Sequence, residues 1–422
     1  MAPVSALAPF RIRSFRFQWP ADLLTSWAFE MEMLVLGWYV LVETGSVLFL
    51  TVFGALQYGG TLIAPLLGVA SDRLGHRNLL SGMRAFYATI AATIMILAFT
   101  GVLTPLLVCV LAALSGLVRP SDMGIRGAVT AETMPFDLLT SAMGFSRSTS
   151  DSARIAGALA GAGLFAAFGM GPAYAVITCF YVTGALLTLG VEQGKSASSA
   201  LPAAAPATAF MSARASPWRD LREGITHIWN TPRLLAIVWL AFLFNFSVFS
   251  ITNGLLPYVA KDIYLTDQTG LGYLVASCAF GALLGSIASS RAGIAIQLPR
   301  LMLVSAVVWY LLLLIFAQMQ TLPGGIVSLM LVGFLQSLTM VAHTVLLLRS
   351  SEQHLRGRVV GVRMLAIYSL PLGLLTAGWL IGRIGFHATV SLYAVIGLTF
   401  TIVIGVWSRA ALWRPQLAKD GA

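Results

Sequence analysis

Charge is scarce in this chain: of 422 residues only 10% are Asp, Glu, Lys or Arg, against about 25% in a typical soluble domain. A water-facing surface of this size cannot be covered with so little charge, so soluble classes are excluded. Disorder is excluded too, because disordered chains are polar and rich in net charge. Cysteine is scarcer still. The 3 cysteines, Cys109, Cys179 and Cys278, lie far apart in apolar runs, with no C-x-x-C or metal-ligand spacing. They are expected as small core residues, not as a disulfide or metal framework. The 5 histidines do not cluster. No H-E-x-x-H, G-x-S-x-G or G-x-x-x-x-G-K-[ST] occurs, which argues against a metal or serine hydrolase and against an ATP-driven pump. Neither a cofactor nor a metal is expected. Strands alternating polar and apolar residues, the mark of an outer-membrane barrel, are missing as well.

What is present is apolar: 58% of the residues and a mean hydropathy of +0.85. A membrane-spanning helix takes about 20 apolar residues. Twelve such runs are readable, at 20–43, 47–71, 77–100, 104–132, 138–168, 172–191, 233–260, 268–290, 299–319, 323–348, 357–383 and 388–410. The fold expected is therefore an all-α polytopic membrane protein. Runs starting near 104, 138, 323 and 357 exceed one span and should tilt or project. The first run, beginning near Ala21, is too long for a signal-peptide core and lacks a cleavage pattern. It is expected to be retained.

The net charge of +10 follows the topology. With the N-terminus in the cytosol, all of the 26 Lys and Arg except Lys261 and Arg383 fall in cytosolic segments or the cytosolic halves of helices. The outer turns near 45, 102, 170 and 322 carry none. This positive-inside asymmetry predicts both termini in the cytosol, the lipid bilayer as the partner of the basic surface, and no nucleic-acid role.

One long polar interruption, 192–232, divides the runs six and six. Its middle, Lys195 to Pro217, is rich in Ala, Ser and Pro and reads as a flexible linker. The stretch Trp218 to Pro232 has helical apolar spacing at Leu221, Ile225 and Ile228, which predicts an amphipathic helix on the inner membrane face, ending before Pro232. The expected domains are 1–191, the linker 192–232, and 233–422. A chain of six spans plus six around a cytosolic loop is the layout of a two-bundle secondary transporter. Small residues four apart, Gly157 with Gly161 and Gly281 with Gly285, predict tight helix packing.

The second run ends in Gly68-Val-Ala-Ser-Asp72-Arg73-Leu-Gly75-His76-Arg77. This fits G-x-x-x-D-R-x-G-x-[RK] and resembles the signature loop of the major facilitator superfamily. The resemblance covers nearly the whole chain and implies the major facilitator fold, with 12 transmembrane helices in two six-helix bundles. It also implies a latch that closes the cytosolic side: Asp72 faces the N-terminus of the helix beginning near Gly357, and Arg77 pairs with a carboxylate at the end of the 104–132 helix, Glu132 first and Asp122 second. Ser14-Phe15-Arg16, Gly37-Trp38-Tyr39, Thr44-Gly45-Ser46, Asp220-Leu-Arg-Glu-Gly224, Gly270-Leu-Gly272 and Arg356-Gly-Arg358-Val359 resemble the enterobactin- and macrolide-exporter branch. That branch implies proton-driven export of siderophores, drugs and other amphipathic compounds. Two departures stand out. Ala158 occupies the place of the proline in the antiporter G-P-x-x-G-G pattern, and the mirror loop Ser289-Ser290-Arg291 has no acidic residue.

Ionisable residues in the hydrocarbon zone are costly and should face a cavity or a partner. Asp22, Glu30, Glu32, Arg119, Asp122, Arg126 and Arg154 are the candidates for proton or substrate contact. Asp122 and Arg126 stand i, i+4 and should pair. Residues two apart on a helix point about 200° apart, so Glu30 and Glu32 cannot both face one cavity. Asp22, Ser26 and Glu30 form one polar stripe, whereas Glu32 shares a face with Ala28, Val35 and Tyr39. The expectation is that Glu30 meets the cavity and a proton or a cationic group, while Glu32 bonds to a neighbouring helix. Gln57, Tyr58, Asn245, Asn253, Gln336 and His343 are further cavity candidates. The function expected is a secondary active transporter, a proton-coupled exporter of a small amphipathic compound, monomeric, in a bacterial inner membrane. The alternatives are an uptake permease, and a membrane enzyme or sensor that does not transport.

Overall fold

The computed structural model describes residues 7–62, 71, 74–192, 217–291, 298–351 and 356–408. The described residues are helical throughout, without a strand. Nine helices among them are long and apolar enough to cross a membrane: His76–Phe99, Pro105–Thr133, Met170–Leu189, Pro232–Gly254, Gln268–Ser289, Leu298–Gln318, Leu322–Ser350, Arg358–Ile384 and Phe386–Trp407. The other three predicted runs differ for physical reasons. The first, α1 (Arg13–Thr44), carries Asp22, Glu30, Glu32 and Glu43 along its length. The second begins as α2 (Val47–Leu56), continues in a 3-10 turn at Gly59–Leu62 and passes outside the described residues. The third is broken: α5 (Phe136–Ser152) meets α6 (Ala158–Phe168) across a π turn at Ala153–Gly157.

The chain divides into two compact units, Met1–Ser212 with Gly254–Ala276, and Ala213–Asn253 with Ser277–Ala422. In the first unit, α4 (Pro105–Thr133) and α7 (Met170–Leu189) pack against α1, and α3 (His76–Phe99) packs against both of them. Their ends follow local chemistry. Gly45 closes α1 in the left-handed region at φ 61°, where glycine carries no Cβ penalty. Thr104 accepts from the Leu107 amide and Pro105 occupies the first helical position of α4, as an N-terminus favours.

In the second unit, α8 (Pro217–Asn230) ends before Pro232. Ile228 is buried on it, but Ile225 and Trp229 remain exposed to solvent or lipid. Glu223 of α8 pairs with Arg358 at 3.0 Å. Next comes α9 (Pro232–Phe244), which continues through a π turn at Asn245–Phe249 to Gly254. The helix α10 (Gln268–Arg291) belongs to the first unit up to Ala276 and to the second from Ser277, and α11 (Leu298–Gln318) and α12 (Leu322–Ser350) follow in the second. The predicted 357–383 run is two helices, α13 (Arg356–Ile367) and α14 (Ser369–Ile384), and α15 (Phe386–Trp407) follows. The linker stretch 193–216 lies outside the described residues.

Candidate functional site

The first unit buries charge in two layers along α1. The outward spacing of α4 places Arg119, Asp122 and Arg126 at i, i+3 and i+7, on one helical face. On α1, Gln18, Asp22 and Ser26 stand at i, i+4 and i+8. These two faces meet. Arg126 Nε lies 2.5 Å from Asp122 Oδ2 and 3.8 Å from Asp22 Oδ1, and Arg126 Nη1 donates to Ser26 Oγ at 2.8 Å. Gln18 Nε2 donates to Thr130 Oγ1 at 2.8 Å and to the Arg126 carbonyl at 3.1 Å. From α3 comes Arg84, wholly buried, which bonds Asp22 and, through its other terminal nitrogen, Thr188 of α7. Two carboxylates and two guanidiniums thus close on one another with no net charge, which is what burial demands of ions.

The second layer surrounds Glu32, which is 4% exposed. Its Oε2 accepts from Arg119 Nη2 at 2.5 Å and from the Tyr181 hydroxyl at 2.9 Å. Arg119 Nη1 also donates to Gln57 Oε1 at 2.5 Å, and the guanidinium stacks 3.9 Å from the centre of the Phe29 ring. Gln57 reaches Arg119 because α2 and α4 approach without side chains between them. A Cβ on Gly116 would stand 2.3 Å from the Leu56 carbonyl oxygen, and one on Gly60 would stand 1.9 Å from that of Leu117. Pro120 sits inside α4 just beyond and withholds one backbone donor there.

Glu30 lies on the other side of α1, half-buried. Its Cβ faces Gly157, where an added Cβ would come within 3.0 Å of it. Asp22, Glu32 and Asp122 are all ion-paired, but Glu30 makes no hydrogen bond or ion pair with the described residues. Arg154, inside the π turn, and Arg119 are the cations whose fields act on it. Beside the first layer, a cavity of about 190 Å³ is lined by Asp22, Ser26 and Arg126 and by Ser146, Thr149 and Ser150 of α5.

Several expectations need correction. Arg77 does not pair with Glu132 or Asp122. It donates to the Leu189 carbonyl at 2.5 Å, one of the acceptors that a helix end leaves open. Glu132 instead bonds His76 Nδ1 at 2.7 Å, and Asp122 is taken by Arg126. Gly75 adopts φ 80° before α3, while Gly68, Asp72 and Arg73 lie outside the described residues. Gln57 is buried in the shell of Arg119 and does not stand free in a cavity. In the second unit, His343 is 0% exposed and its Nε2 lies 2.9 Å from the Ile237 carbonyl oxygen. Gln336 is buried as well, so both belong to packed interior, not to an open wall. Asn245 bonds within its own helix, to the Ala241 carbonyl at 2.8 Å. Asn253 is exposed and Tyr58 half-buried. Sequence reasoning missed Arg84, Tyr181 and Thr188. An arginine amid the apolar run after Arg77 was the available signal.

The family model of the Major Facilitator Superfamily matches residues 19–371. The chain belongs to this superfamily. It is a multi-pass membrane transporter and not an enzyme. Among curated relatives, it is 29% identical to the multidrug efflux pump Tap of Mycolicibacterium fortuitum over 371 residues, covering 83% of this chain and 85% of that one. It is 33% identical to Tap of Mycobacterium tuberculosis over 177 residues, 40% of each chain. Among solved structures, the peptide transporter PepTSo of the POT family aligns with a TM-score of 0.73 at 13% identity, over 96% of this chain and 99% of that one. The nucleoside transporter NupG aligns with a TM-score of 0.71 at 14% identity, over 95% and 100%. At such identities these likenesses carry the fold alone.

Proposed function

We propose that this transporter is a proton-coupled exporter of small amphipathic compounds, a drug, siderophore or metabolite, working by alternating access in a bacterial inner membrane. In this reading twelve spans form two six-helix bundles, 1–191 and 233–422, joined by the cytosolic segment 192–232, with both termini in the cytosol and the chain acting as a monomer. Asp72 and Arg73, with Gly68 and Gly75 shaping their turn, form the cytosolic latch. The likeness to a multidrug efflux pump over most of the chain supports export and an amphipathic substrate.

The observation that carries the coupling is the contrast among three acids of α1, Asp22, Glu30 and Glu32, the fourth, Glu43, being exposed at the helix end. Asp22 and Glu32 are locked to arginines. Glu30, half-buried at the π turn, is engaged by no hydrogen bond or ion pair among the described residues. A carrier must gain and lose a proton without dismantling the fold, and Glu30 alone of the three meets that condition. The π turn beside it is the kind of helix defect that recurs at functional positions.

The test is transport in proteoliposomes of purified protein, with ethidium as the probe. An imposed pH gradient drives ethidium flux in the wild type. Glu30→Gln abolishes gradient-driven flux and leaves ethidium exchange at zero gradient intact. Full gradient-driven flux in Glu30→Gln overturns the assignment. Loss of flux in well-expressed Glu32→Gln, with Glu30→Gln active, exchanges the two roles.

A further inference from the structure

The second unit holds a charge that the exporter reading leaves unused. Arg363 lies on α13, five residues beyond Arg358. At 1.5 Å per residue it stands about 7 Å further along the helix than the pair that ties Arg358 to Glu223 on α8. It falls within the membrane-crossing stretch Arg358–Ile384. Val359 and Ala366, at i−4 and i+3 from Arg363, are buried, and so is Val362. Met364 and Leu365, on the opposite side, are 39% and 41% exposed. Arg363 therefore projects from the packed face of its helix and is itself half-buried. A lipid-facing arginine could carry its charge along the surface to the headgroups; one on the inner face has no such route.

Arg84, Arg119 and Arg126 in the first unit each meet a carboxylate. Arg363 meets none among the described residues, and no hydrogen bond to one of them reaches its guanidinium. Burial is what acts on its charge. The titratable side chain that feels it, His343 on α12, is basic and offers no compensation. An unpaired ion at membrane depth marks a function by default, and the missing counterpart of a guanidinium is a planar anion that takes two of its parallel N–H groups.

We propose that Arg363 is the docking residue for an acidic group on the transported compound, which makes the substrates amphipathic molecules bearing a carboxylate or an equivalent planar anion. The proposal rests on the transporter reading for the identity of its ligand, and on nothing in the proton assignment. When the site is filled, the substrate's anion supplies the partner that the protein does not.

The experiment compares matched acid and ester pairs: rhodamine B with its ethyl ester, and 1-naphthaleneacetic acid with its methyl ester. Binding is measured on the purified protein in detergent. In the wild type each acid binds roughly tenfold or more tightly than its ester, the scale of a charge-assisted hydrogen bond. Arg363→Gln removes that preference and leaves ester affinity unchanged; Arg363→Lys keeps part of it. Equal binding of acid and ester by the wild type overturns the proposal. Survival of the preference in Arg363→Gln, or an equal loss for acid and ester, overturns it too. Should Arg363→Gln fail to fold, wild-type protein answers through phenylglyoxal modification of Arg363, mapped by mass spectrometry. The acids protect and the esters do not; equal protection, or none, refutes the site. Failure of the transporter reading appears separately, as the absence of ethidium flux in proteoliposomes of the wild type.

Discussion

The bond between Asp22 and Arg84 offers a stringent test of the buried lattice, because its two ends are unequally supported. The Arg84 side chain is 0% exposed and that of Asp22 is 7% exposed. Removing one partner of a buried pair costs about 3–5 kcal/mol, since the other charge is left behind. Asp22→Asn leaves the buried Arg84 guanidinium with neutral acceptors only, the Asn carbonyl and the Thr188 hydroxyl, and no charge opposite it, so a cost of about 3–5 kcal/mol is expected. Arg84→Met strands Asp22, but Arg126 still lies 3.8 Å away, so a smaller cost of about 2–3 kcal/mol is expected. The double variant has no stranded ion. It should lie well below the sum of the two losses, with a coupling of about 2–3 kcal/mol, one to two powers of ten in the unfolding constant. The assay is reversible unfolding of the purified protein by sodium dodecyl sulfate in mixed micelles, followed by tryptophan fluorescence. Additivity within about 0.5 kcal/mol would refute the closed lattice, and a larger loss for Arg84→Met than for Asp22→Asn would refute the asymmetry.

In the same unfolding assay, Glu32→Gln should cost about 3–5 kcal/mol by leaving Arg119 unpaired, whereas Glu30→Gln should change stability by less than about 1 kcal/mol because no bonded partner is lost. Equal losses would mean that Glu30 is as firmly held as Glu32. Gly157→Val should lower stability and flux together: even a Cβ there comes within 3.1 Å of the Trp27 carbonyl oxygen, and the branched side chain must push α1 away at a cost of about 1–3 kcal/mol. A thermal midpoint equal to the wild type would exclude that close approach. Glu132→Gln should cost no more than about 1 kcal/mol, since its pair with His76 is 27% and 24% exposed; a larger loss in the unfolding midpoint would show a partner beyond His76.

Long apolar runs and their punctuation were legible from composition alone. The 104–132 expectation became Pro105–Thr133 and the 323–348 expectation became Leu322–Ser350, because a Thr before a Pro-bearing first turn marks each start as plainly as the apolar run does. The breaks were not legible. A π turn adds one residue to a helical turn without changing its hydropathy, so Ala153–Gly157 and Asn245–Phe249 leave no mark on a windowed average. The junction at Tyr368, between α13 and α14, is hidden in the same way. Within the site, Asp122 with Arg126 was readable because both partners sit on one helix at a fixed spacing. Arg84 with Asp22 joins α3 to α1 across 62 positions, and one sequence holds no register between helices. The positive-inside rule also concealed information. It accounts for Arg84 and Arg363 as basic residues in the cytosolic halves of helices, and that account is complete enough to discourage asking what else they touch.

The neutrality of the two layers bears on where a proton can act. Protonating Asp22 would leave Arg84 and Arg126 facing Asp122 alone, and protonating Glu32 would leave Arg119 with Gln57 and Tyr181. Either event turns a balanced cluster into one with a surplus positive charge in a medium that tolerates none. The two layers are therefore best suited to hold α1, α3, α4 and α7 as one body while the transporter changes state. Glu30 stands apart from them, on the side of α1 that faces Gly157 and the π turn. A proton arriving there changes one charge beside Arg154 and breaks no bond of the lattice. Under our proposal the first unit thus separates two tasks along a single helix: the paired acids Asp22 and Glu32 keep its shape, and Glu30, half-buried and bonded to none of the described residues, changes its charge. The separation rests on the two-residue step between Glu30 and Glu32, which turns their side chains to opposite sides of α1.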